Sequence, residues 1–174
     1  MPVDYLGAAA AALLVTVFAV SAFGKARDLA GFAASLEPLR PVPPRLRVPA
    51  ARAVAAAEAG VVAAFAGYAL GVPGAGPFAF TGAFALLCVF TAVILASLRS
   101  GSSARCHCFG RTGAVYAPRH AVRNALLGTA ALIGAFASAS PSAPEPAGVF
   151  LAAATGVVVG VLVIAMDDVA ELFA

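Results

Sequence analysis

Apolar residues fall in five long runs, at residues 5–23, 50–70, 78–98, 122–138 and 147–166, all but the fourth bounded directly by Gly, Pro or charged positions. Each run is near the roughly 20 residues an α-helix needs to cross a hydrocarbon core of about 30 Å. The pattern therefore predicts an all-α chain, a polytopic transmembrane helical bundle with about five spans, forming a single membrane domain over residues 1–174. The fourth run is the shortest, because Arg123 and Asn124 occupy its first turn. Arg123 is expected to snorkel to the interface, and the alternative is four spans with one interfacial helix. The first run is preceded by Asp4 and by no basic residue, so it is expected to remain as a membrane helix rather than serve as a cleaved signal.

Between the runs the punctuation is Gly and Pro. Gly71, Pro73, Gly74, Gly76 and Pro77 predict a tight turn after the second run, and Ser140, Pro141, Pro144 and Pro146 predict one after the fourth. The first connection is longer, and Pro43-Pro44 excludes a continuous helix through it. Within it, Leu29, Phe32, Ala33 and Leu36 have i, i+3, i+4, i+7 spacing, the signature of an interfacial helix over residues 26–36. Gly67 with Gly71, and Gly156 with Gly160, are spaced for close approach of neighbouring helices.

Composition points to the same solvent. The 174 residues are 62% hydrophobic and 11% charged, against about 25% charged in a soluble domain, and the mean hydropathy is +0.98. Too few charges exist to cover a water-facing exterior, so the lipid bilayer is the expected surroundings. The pI of about 9.1 does not indicate nucleic acid, since the basic residues are sparse and flank the apolar runs. Lys25, Arg27, Arg40, Arg45, Arg47 and Arg52 surround the first connection, and Arg99, Arg105, Arg111, Arg119 and Arg123 the third; together these are all 11 Lys and Arg residues. The positive-inside rule then places the first and third connections in the cytoplasm, with the acidic tail (Asp167, Asp168, Glu171) on the same side.

The sharpest chemical feature is Cys106-His107-Cys108-Phe109-Gly110 in the third connection. Two thiols one residue apart close only a small, strained ring, and strained accessible disulfides are labile, which suits exchange better than stapling. Arg105 and His107 add positive or titratable charge that favours the thiolate. Two soft thiolates also suit Cu(I), whereas a closed zinc site needs four ligands; His120 and Cys88 are the only obvious additions. Cys88 reads as a small apolar packing residue deep in the third span. Glu58 lies one to two turns inside the second run, where an ionisable group needs a partner or a polar cavity. Lys25 and Arg52 are its candidate partners. Lys25 and Asp28 are also spaced to pair across one helical turn.

Together these features resemble the MauE/DoxX family of redox-associated membrane proteins. The resemblance is carried by Gly24, Lys25 and Asp28 at the end of the first span, Phe32 and the Pro-rich connection, Glu58-Ala59-Gly60, Cys106-x-Cys108-Phe109-Gly110, and Arg123-Asn124. It implies a DoxX-like four-helix core plus a C-terminal span in a bacterial cell membrane. It also implies a helper in making or maintaining the disulfides of methylamine dehydrogenase, working with a thioredoxin-like partner. No cofactor is evident from the residues themselves.

Four functions follow as expectations. The first is thiol–disulfide exchange at Cys106 and Cys108, with Arg105 and His107 tuning the thiolate. The second is a non-catalytic assembly or scaffold protein that docks a partner through the Arg-rich connection. The third is a DoxX-like quinone-linked oxidoreductase subunit with Glu58 near the quinone, the alternative for Glu58, Lys25 and Asp28 being structural polar contacts between helices; copper delivery is a fourth. Charge placement predicts a cytoplasmic Cys pair, whereas the family association implies work on proteins outside the membrane.

Overall fold

In a computed structural model, residues 2–37, 43–99, 118–139 and 145–171 are described, and they form six α-helices and one short 3-10 turn. The helices are α1 (Pro2–Arg27), α2 (Leu29–Ser35), α3 (Arg47–Ala69), α4 (Ala75–Arg99), α5 (Pro118–Ser138) and α6 (Pro146–Glu171). Five of them, all but α2, are long and apolar enough to cross a membrane. The predicted polytopic bundle with five spans is found, and the fourth run is a full-length helix.

Packing follows the small and bulky residues along each helix. α1, α3, α4 and α5 enclose one core, in which α1 packs against α3 and α5, and α4 packs against the same two. Leu14, Phe18, Phe65, Phe80 and Leu87 fill its centre. Phe80 meets Phe65 edge-on, with ring centroids 5.0 Å apart, and lies against the bare backbone of Gly134 in α5. α6 packs on the outer side of α1. A Cβ at Gly156 would collide with the Ala9 carbonyl, and one at Gly160 would sit 3.2 Å from that of Leu13. This small-residue seam allows close approach where lipid provides no hydrophobic drive between helices.

The second glycine pair behaves differently. Gly71 has φ 75°, Gly71 N–H donates to Tyr68 O at 3.0 Å, and Val72 N–H donates to Gly67 O at 2.9 Å. These two bonds form a Schellman cap, which needs the left-handed conformation that glycine adopts without steric cost. The Gly67–Gly71 spacing therefore marks a helix end and not a helix contact.

Helix boundaries shift at two spans. α3 begins three residues before the predicted start, with Pro49 accommodated in its first turn, where backbone N–H groups have no intrahelical partner. α5 begins four residues early, and His120, Arg123 and Asn124 are buried in the bundle. Arg123 is 4% exposed. The expectation that it snorkels to the interface is thus corrected: its side chain turns inward among polar groups of neighbouring helices.

Between α1 and α3 the chain is redirected by Asp28, whose carboxylate accepts from Gly31 N–H at 2.8 Å and caps α2. The expected apolar stripe is used. Phe32 and Ala33 are buried against Ala51 of α3, with Leu29, Leu36 and Val54 around them. Arg47 pairs with Glu37 at 3.3 Å, joining the start of α3 to the end of α2.

Candidate functional site

Ser21 and Lys25 are four apart, so they share one face of α1. That face meets Glu58, about three turns into α3. Lys25 Nζ donates to Glu58 Oε1 at 2.8 Å, to Glu58 Oε2 at 3.0 Å and to Ser21 Oγ at 2.6 Å. Ser21 Oγ in turn donates to Glu58 Oε1 at 2.9 Å. An ammonium has three N–H donors, and here all three have acceptors. Lys25 is 3% exposed and Glu58 is fully buried.

Two further helices close over the pair. The Phe32 ring of α2 has its centroid 5.2 Å from Lys25 Nζ, and the Phe90 ring of α4 has its centroid 5.7 Å away. Both are within reach of the aromatic quadrupole. Next to Glu58 lies a cavity of about 20 Å³, walled on its polar side by Ser21, Glu58, Arg123 and Asn124. That volume accommodates about one water molecule among polar groups able to hold it. Residues from α1, α3, α4 and α5 thus converge on one polar point inside an apolar bundle.

The geometry sorts the candidate residues. Of the two expected partners for Glu58, Lys25 is in contact and Arg52 is exposed. Asp28 does not pair with Lys25, because its carboxylate caps α2. Cys88 lies on an exposed face of α4 beside a groove shared with α5, and is not a core packing residue. The period of the helix turns its neighbour Leu87 inward instead. His120 is buried, and no group of three or more His, Cys, Asp and Glu side chains suited to a metal occurs among the described residues.

Arg105, Cys106, His107 and Cys108 lie outside the described residues, as do Phe109 and Gly110. The segment that carries them joins Arg99 of α4 to Pro118 of α5. This is the end of the bundle where Lys25 completes the last turn of α1. Buried Ser97 and His120 flank the same two helix ends.

Phe90 is the site residue that carried no sequence signal, being one of 12 phenylalanines. The convergence of Arg123 and Asn124 on Glu58 was equally hidden, although two polar residues opening a membrane helix mark it as unusual.

Among curated proteins and among solved structures, no match to the chain was found. The family model described as methylamine utilisation protein MauE matches residues 3–137, a region that runs from the start of α1 to the end of α5 and stops before α6. With most of its length matched, and with the five-span helical architecture on the page, the chain belongs to the MauE family of membrane proteins.

Proposed function

We propose that this MauE-family protein is a membrane thiol–disulfide component of methylamine utilisation, exchanging electrons with a thioredoxin-like partner through Cys106 and Cys108. The observation that carries this reading is the Cys-x-Cys motif itself, which falls in the sequence between α4, ending at Arg99, and α5, beginning at Pro118. In the exchange, a thiolate of the partner attacks one sulfur of the Cys106–Cys108 disulfide and frees the other as a thiol. The partner's second thiolate then resolves the mixed disulfide. One disulfide forms, one breaks, and two electrons and two protons pass from the partner to this protein. The reverse sequence oxidises the loop and reduces the partner. Arg105 and His107 stabilise the loop thiolate, which is the leaving group in this direction and the attacking group in the reverse one.

The basic residues around the first and third connections support a cytoplasmic position for this pair in a bacterial plasma membrane. The pair then draws on, or delivers to, thiols on that side. The disulfides of methylamine dehydrogenase that the family implies lie on the opposite side of the membrane, so a cytoplasmic pair serves them only through a further carrier.

The Lys25–Glu58–Ser21 cluster supports a bracing role over proton or quinone handling, because each N–H of Lys25 already has an acceptor within 3.0 Å. A scaffold function is the second reading, favoured by the same closed geometry. A Cys108→Ser variant separates the two. In the exchange reading it accumulates a mixed disulfide with the partner through Cys106, visible as a reducible shift on a gel. In the scaffold reading both Cys→Ser variants retain full function and no adduct forms.

A further inference from the structure

Asn124 is 5% exposed, yet no hydrogen bond of its amide is found among the described residues. A buried amide left in that state carries the cost of its lost hydration, so it marks a place where something else binds. The residue stands in the wall between two hollows. On one side is the cavity beside Glu58, large enough for a single water. On the other is a groove of about 370 Å³ between α4 and α5, within the roughly 300–1,000 Å³ of small-molecule sites. An amide has two N–H donors and an acceptor oxygen, so one water in the cavity leaves it capacity on the groove side.

Small side chains hollow out the groove, with Cys88 and Ala92 of α4 facing Ala125 and Gly128 of α5. All of these but Gly128 are exposed, and α6 packs on α1 instead, so the groove opens to lipid. Its other hydroxyls are already engaged: Thr91 donates to Leu87 O at 2.7 Å and Thr129 to Ala125 O at 3.0 Å. Along α4 the lining reaches Leu95, one helical turn before Arg99, where the thiol-bearing connection begins.

A ligand for this groove arrives through the membrane, is apolar over most of its length and carries an acceptor oxygen at one end. The exchange proposed above adds a second requirement, because the two electrons and two protons that reach Cys106 and Cys108 must leave again before another turnover. We infer that the groove binds a lipid-soluble quinone, one carbonyl oxygen accepting from the Asn124 amide and the isoprenoid tail running out between α4 and α5 into the bilayer. The electron step rests on the exchange reading. Two S–H bonds break, one S–S bond forms between Cys106 and Cys108, and the quinone takes both electrons and both protons to become the quinol. Lys25 and Glu58 stay paired on the far side of Asn124 and take no part in it.

The test is photolabelling of the full-length protein in nanodiscs with an azidoquinone, competed by decylubiquinone, together with anaerobic quinol formation by the pre-reduced protein. Label is expected on α4 and α5 peptides. Asn124→Leu should weaken competition about tenfold, Asn124→Gln should restore it, and Gly128→Leu should fill the groove and abolish labelling. Cys106→Ser should keep the label and lose the one quinol formed per thiol pair. Labelling that decylubiquinone does not compete, or that survives both Asn124→Leu and Gly128→Leu, would overturn the site and leave the exchange reading standing. Competed labelling without quinol would overturn the electron step, and the mixed disulfide of Cys108→Ser, which needs no quinone, reports on the exchange reading separately.

Discussion

Lys25 Nζ faces both carboxylate oxygens of Glu58, at 2.8 and 3.0 Å, across the interface between α1 and α3. The two residues are 33 positions apart in sequence, and their contact fixes the register of the first two spans. Buried inside the bundle, neither charge can turn to bulk water, so the pair is tied to the fold rather than to the surface.

Removing one partner should therefore be much worse than removing both. Lys25→Met or Glu58→Leu alone is expected to cost about 3–5 kcal/mol, because the remaining charge is stranded. The double variant should recover a large part of that loss. Equilibrium unfolding in mixed detergent micelles across the four proteins measures the coupling, and a double variant as destabilised as the sum of the singles would contradict it.

Asp28 should act separately. Asp28→Ala removes the cap on α2 and is expected to cost about 1 kcal/mol, while Asp28→Asn should be nearly neutral. Combined with Glu58→Leu, the effect of Asp28→Ala should simply add. A marked coupling between the two would place Asp28 in the Lys25 cluster, contrary to its hydrogen bond with Gly31.

The α1–α6 seam gives a third expectation. Gly156→Leu places a side chain against the Ala9 carbonyl, so α6 should leave α1 while α1 to α5 keep their packing. Limited proteolysis in detergent checks this: α6 should become cleavable in the variant while α1 to α5 persist as an intact fragment, and an unchanged digestion pattern would contradict the seam.

Much of this architecture is legible in the order of residues, for a physical reason. Lipid demands about 20 apolar residues per helix and tolerates charge only at the ends, so five spans and the stripe Leu29, Phe32, Ala33, Leu36 announce themselves. Glu58 stands out for the same reason, and the short list of cations near its depth narrows its partner to Lys25 or Arg52. What the order of residues does not carry is the angular position of each helix. Arg123 was expected to reach outward and Cys88 to pack inward; helix rotation reversed both. Gly67–Gly71 and Gly156–Gly160 share one spacing, yet one pair caps a helix and the other joins two, since only tertiary contacts distinguish them.

The thiol chemistry is tested most directly by the redox state of the Cys106–Cys108 pair in native membranes. Free thiols are blocked with one alkylating reagent, the sample is reduced, and newly released thiols are labelled with a second of different mass. The account predicts that a substantial fraction of peptides carry the second label on both Cys106 and Cys108, and that this fraction falls when cells are treated with a membrane-permeant reductant. Peptides carrying only the first label on both residues, under oxidising and reducing growth alike, would contradict it.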